Sequence, residues 1–195
     1  MDKMKSALNG AIWSLRQTNP HIQFDIIRNQ TELLDYTLTN LQQNLALGFL
    51  FILIVASLFM GGVRSPIVIG VCMVVALVIS FIFFYLFGMS LNIISLSGLI
   101  LAEGMMIDNA IIVTENITQS RDKGYTVEEA CAQGTNEVIT PMLSSSLTTI
   151  AVFIPLVFIS GIAGAIFMDE AFAVTVGLVA SYITGIILLP VLYRI

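Results

Sequence analysis

The stretch GLILAEGMMIDNAIIVTEN (98–116) sets two carboxylates, Glu103 and Asp108, inside a run that otherwise reads as membrane-buried helix. An ionisable side chain at the centre of a bilayer helix costs on the order of 2.5–3.5 kcal/mol even on insertion-based scales, so its presence there points to function. The chemistry that suits it is uptake and release of a proton or ion, with Asp108, flanked by MMI and AII, as the leading group. The competing reading is a carboxyl that hydrogen-bonds between helices. On an α-helix Asp108 and Glu115 share a face, and Asn109 and Asn116 share the neighbouring one, because seven residues make nearly two turns. Gly104 and Ala110 frame this polar stripe and admit close helix approach. Glu103 stands about 7.5 Å higher and about 140° round from Asp108, so a water chain rather than direct contact would join them. Glu115 lies near enough to the interface to be solvated. Ser144, Ser145, Ser146, Thr148 and Thr149, further along the chain, could hydrogen-bond to the stripe; Ser145, Thr148 and Thr149 are the supporting polar candidates.

Positioning these groups requires membrane helices, and the composition agrees. Of 195 residues, 57% are hydrophobic and 11% charged, with mean hydropathy +0.94. A soluble domain carries about a quarter charged residues. Five spans are expected, over about 45–63, 66–87, 91–117, 138–159 and 171–192, since about 20 apolar residues cross a bilayer. FGMSLN (87–92) supplies the turn that divides the long uncharged run, and SGIAGAIFMDE (160–170) reads as a short loop. TVEE (126–129) has the form of a capping box and predicts a cytoplasmic loop helix over about 126–137. Arg64, Arg121, Lys123 and Arg194 all fall on one side, while the turns at 88–90 and 160–170 hold no Lys or Arg. The positive-inside rule puts that side, with the C-terminus, in the cytoplasm and residues 1–44 outside.

Residues 1–43 are expected to form a short α/β remnant of an external domain, and residues 44–195 the membrane region. HIQFDII (21–27) alternates as a strand does, and residues 31–49 read as a helix running straight into the first span. A strand with one helix does not make a domain. No basic start followed by an apolar core marks a signal peptide. The sequence thus reads as a piece of a longer protein. Cys72 and Cys131 have neither metal spacing nor a persuasive pairing and read as structural, and His21 as a surface residue. No basic patch suggests nucleic acid. An intramembrane aspartyl protease would need a second Asp in a neighbouring span and a GxGD context; EGMMIDN lacks that context and no other expected span holds an Asp, so no enzyme is expected.

The run NIISLSGLIL through GMMIDNAIIVTENI resembles the fourth transmembrane helix of resistance–nodulation–division efflux permeases. The turn FMGGVRSPIVIG before it and TPMLSSSLTTIAVFIPLVFISGIAGAIF after it extend the likeness over nearly the whole chain. The resemblance implies an inner-membrane, trimeric antiporter driven by the proton-motive force without a bound cofactor, working with a periplasmic adaptor and an outer-membrane channel. Residues 1–44 would be the end of the first periplasmic porter domain, and the spans would be helices two to six of the first half. Multidrug members of the family typically carry two adjacent aspartates in this helix. Asp108 matches the first, and Asn109, which cannot exchange a proton, stands at the second. Glu103 occupies a position that is usually apolar or small in the family and is the tentative third relay residue. Export of amphiphilic compounds is the leading expectation; the alternatives are heavy-metal export, for which Met105 and Met106 would have to pair, or a truncated product that does not transport.

Overall fold

The computed structural model describes residues 2–18, 21, 30–59 and 64–195. The described elements are helices: α1 (Asp2–Thr18), α2 (Gln30–Phe59), α3 (Arg64–Leu86), α4 (Ile93–Asp122), α5 (Val127–Val157), α6 (Gly161–Ile183), a π-helical turn (Thr184–Leu188) and α7 (Leu189–Arg194). The chain divides into two compact units, 1–40 and 41–195. In the first, α1 is a helix that the sequence pattern had not suggested. It ends with the hydroxyls of Ser14 and Thr18 donating to the carbonyls of Ala11 and Ser14. Apart from His21, which stands in a turn, the strand expected over 21–27 lies outside the described residues. What is described is therefore all-α.

Among the described residues, five helical stretches are long and apolar enough to cross a membrane: Tyr36–Leu58, Ser65–Leu86, Ile93–Asp122, Val127–Val157 and Ala163–Arg194. The turn at FGMSLN is present, with Gly88 at φ +66°, a conformation that costs glycine little. Asn92 then caps α4. Its Oδ1 accepts from the amides of Ile94 and Ser95, both at 2.9 Å, and Ser95 Oγ accepts the Asn92 amide in return. Asn92 Nδ2 also donates to Asp169 Oδ2 at 2.8 Å, tying the start of α4 to α6.

Two boundaries differ from the sequence reading. The capping box at Thr126 and Glu129 forms, but the helix it starts does not stop at 137; it passes Pro141 and continues to Val157. A proline inside a membrane helix removes one backbone bond without ending the helix where neighbouring helices support it. Likewise 160–170 is helix rather than loop, because the chain reverses at Gly161 (φ +80°) and α6 begins there. Asp169 and Glu170 made this segment look like a surface loop. They stand more than two turns into α6.

At the other end of α6 the register slips into a π turn, where Leu189 N donates to Thr184 O. Pro190 follows at the start of α7 and has no amide to give to the carbonyl four residues back, which removes one constraint on the preceding turn.

Helix α4 lies at the centre, with α3, α5 and α6 packed around it. Val68, Ile69 and Cys72 of α3, Val113 and Ile117 of α4, Ala130 and Cys131 of α5 and Leu189 of α7 share one buried cluster. Both cysteines are buried there, as their structural reading required. Small residues set the closest approach, though not the pair expected. Gly104 is exposed with nothing within 4 Å of where a β-carbon would sit, and Ala110 is core. The tight α4–α6 contact is made by Gly98 against Ala173 and by Gly177 against Ala102 and Met106. Large apolar side chains on α2 and α3, among them Leu50, Phe51, Ile54, Val74 and Ile82, point outward. They form the surface that a bilayer would cover.

Candidate functional site

Asp108 opens into a cavity of about 310 Å³ between α4 and α5, lined also by Met105, Asn109, Ile112, Ser145, Ser146, Thr149 and Leu178. That is room for several water molecules. The hydroxyls facing it are already oriented. Ser145 Oγ donates to Met142 O at 3.0 Å and Thr149 Oγ1 to Ser145 O at 3.0 Å, which leaves their oxygen lone pairs to accept from water or from a protonated carboxyl. Ser146 Oγ is buried and has no hydrogen-bond partner among the described residues. A buried hydroxyl on a polar cavity with no protein partner is a natural site for bound water. Thr148, grouped with Ser145 and Thr149 on sequence, is exposed, bonds back to Ser144 O at 2.8 Å and does not line the cavity. The hundred-degree helical step between neighbours carries it away from Thr149.

Asn109 is 4% exposed. Although it borders the cavity, its Nδ2 donates to Ser181 Oγ of α6 at 3.3 Å, and Ser181 Oγ donates to Met106 O at 2.8 Å. The neighbouring side chains thus part ways: Asp108 faces α5 and Asn109 anchors α4 to α6. Gly185, in the π turn, lies against Asn109 and Met142. Sequence reasoning missed Ser181. Its signal was a lone small polar residue in an apolar span, which is weak because serine is an ordinary packing residue in membranes.

The lower half of the polar stripe does not join the site. Asn116 Nδ2 donates to Gly134 O at 2.7 Å and to Glu137 Oε2 at 3.2 Å, stitching α4 to α5 below the cavity. Glu115 accepts from Gln119 on its own helix and is exposed. Glu103 is separate again. It is 2% exposed, it does not line the Asp108 cavity, and its carboxylate lies against Gly48 of α2. Met105 lines the cavity whereas Met106 is in the core with Ala76 and Ala180, so the adjacent methionines do not act as a pair. Among the described residues no group of three or more His, Cys, Asp or Glu could hold a metal ion.

The arrangement is a titratable carboxyl, open to a small hydroxyl-lined cavity, on a helix whose Asn109 and Asn116 bind neighbouring helices. Comparison with known proteins puts this in context. A model of the AcrB/AcrD/AcrF family matches residues 4–195. The multidrug resistance protein MdtC of Pectobacterium carotovorum subsp. carotovorum (strain PC1) is 32% identical over 186 residues, 95% of this chain and 18% of that protein. Its counterpart in Escherichia coli O139:H28 (strain E24377A / ETEC) is 33% identical over 179 residues, 91% of this chain and 18% of that protein. In Cronobacter sakazakii (strain ATCC BAA-894) the figures are 32% over 193 residues, 98% and 18%. The chain thus spans less than a fifth of the length of these relatives. With the match running through all five apolar helices, the chain belongs to the AcrB/AcrD/AcrF family of resistance–nodulation–division efflux permeases.

Proposed function

We propose that this chain is part of a proton-driven permease that exports amphiphilic compounds, and that Asp108 is the group that takes up and releases the proton. The observation that carries this reading is the position of Asp108 on a membrane-length helix, facing a cavity lined by Ser145, Ser146 and Thr149. A carboxyl there exchanges its proton with cavity water. When ionised it is solvated by that water and by the polar wall; when protonated it donates to a hydroxyl oxygen. The change of charge alters what α5 faces across the cavity, which is how proton binding would be felt as a helix movement. Asn109 stays neutral and holds the α4–α6 contact throughout. This makes Asp108 a one-carboxylate version of the pair typical of multidrug members.

The relatives are named multidrug resistance proteins, which supports drug-like cargo. The divergence of Met105 from Met106 gives no support to metal export. For sidedness, Arg194 pairs with Glu128 at the start of α5, Arg121 lies in the last turn of α4 and Lys123 caps it, so these cations share one end of the bundle. That end is the cytoplasmic one on the positive-inside rule, with residues 1–44 in the periplasm. Trimeric assembly, a periplasmic adaptor and an outer-membrane channel belong to the same proposal. The test is Asp108→Asn in the complete protein, expressed in a drug-sensitive host. Efflux should be abolished while membrane insertion and oligomer size are retained. Normal resistance at normal expression would overturn the assignment.

A further inference from the structure

Glu103 poses a different problem from Asp108. Its side chain is 2% exposed, and Oε1 has no hydrogen-bond partner among the described residues. Oε2 points at α2, where a β-carbon built on Gly48 would lie 3.4 Å away. Leu45 of α2, three residues before Gly48, packs against a buried apolar cluster that includes Ala76 and Leu77 of α3 and Ala102 and Met106 of α4. Among the described residues no counter-charge faces Glu103. Residues 41–59 of α2 contain no ionisable side chain; in α3, Cys72 belongs to the cluster with Val113, and Tyr85 is exposed. On α6, Asp169 is tied to Asn92, and Glu170 stands beside Gly98, well over a turn along α4. An ionised carboxylate with a bare oxygen in so buried a place is poorly solvated, and a proton removes the charge. A purely structural acid would be expected to find a donor, as Asn116 and Asn109 find acceptors. Glycine at 48 leaves the carboxyl a slot at the helix contact.

We infer that Glu103 is a second proton-binding carboxyl, closed off by α2 at Gly48 and reached independently of the cavity that holds Asp108. It deepens the reading of α4 as a proton-carrying helix. For transport it depends on that reading, but occupancy by a proton does not. The two carboxyls face opposite sides of α4, so one helix would carry two protonation sites with different gates, α5 for one and α2 for the other.

The test uses the full polypeptide in native membranes treated with N,N′-dicyclohexylcarbodiimide, an apolar reagent that adds to protonated carboxyls. The acid proton passes to a nitrogen of the reagent, the carboxyl oxygen bonds its central carbon, and no atom leaves. Peptide mass mapping then reads Glu103 and Asp108 separately in one sample. An adduct at Glu103 is expected, lost in Glu103→Gln and kept in Asp108→Asn. Gly48→Val should change the rate of labelling at Glu103 several-fold and leave the rate at Asp108 unaltered. No adduct at Glu103, or loss of that adduct in Asp108→Asn, overturns the inference, and an unaltered Glu103 rate in Gly48→Val overturns closure by α2. Absence of an adduct at Asp108 alone counts against the proposed function and not against Glu103.

Discussion

Gly134→Ala is a substitution whose sign depends on tertiary structure. By helix propensity alone it should stabilise α5 by about 0.8–1 kcal/mol, because glycine is the poorer helix former. The structure reverses the expectation. A β-carbon at 134 would lie 2.9 Å from both Cα and N of Ile117 and 3.0 Å from Asn116 O, all backbone atoms of α4. Carbon atoms rest at about 3.5–4.0 Å, so the helices must part by roughly 0.6–1 Å. Overpacking of this kind costs about 1–3 kcal/mol. Parting the helices also strains the bond from Asn116 Nδ2 to Gly134 O, now 2.7 Å, and such a bond is worth about 0.5–1.5 kcal/mol net. After the propensity gain is set against these terms, a net loss of about 1–3 kcal/mol remains. For a chain of this size that is a fall in Tm of roughly 2–12 °C. The assay is thermal unfolding of the purified protein in detergent, followed with a thiol-reactive dye that reports exposure of the buried Cys72 and Cys131. Gly104→Ala is the control, since nothing lies within 4 Å of its β-carbon position, and its Tm should be unchanged or higher. An unchanged or raised Tm for Gly134→Ala would refute the claim that α4 and α5 are pinched together there.

Other outcomes follow from individual contacts. Asn92→Ala removes the acceptor for two amides at the start of α4 and the link to Asp169, and should lower stability by about 1–2 kcal/mol in denaturant titration. Ser181→Ala leaves Asn109 without its α6 partner in a buried place, a loss of about 1–3 kcal/mol, and should reduce efflux in proportion to the folded protein rather than abolish it. Arg194→Ala breaks a pair with Glu128 in which both side chains are more than half exposed, so stability should change by less than about 1 kcal/mol, measured at low and high salt.

Membrane residence and five apolar helices were legible from residue types alone, as was the carboxyl proposed to carry the proton. Burying a charge is so costly that Asp108 stands out in any apolar run, and about 20 apolar residues announce a span whatever surrounds them. The caps at Asn92 and Thr126 are equally local. What could not be read was how the helices meet. A helical wheel puts Asp108 and Asn109 side by side, yet a step of about 100° sends one into the α5 cavity and the other to Ser181 on α6. Gly104 and Gly98 look alike in the chain, but only Gly98 has a neighbouring helix pressed against it. Sequence makes Glu103 a tentative relay residue, but that its carboxylate lies against Gly48 of α2 is seen only in the fold. Hydrophobicity is a property of each residue and survives in the sequence. Which face of a helix meets which neighbour depends on packing across residues dozens of positions apart, and that is decided only in the folded bundle.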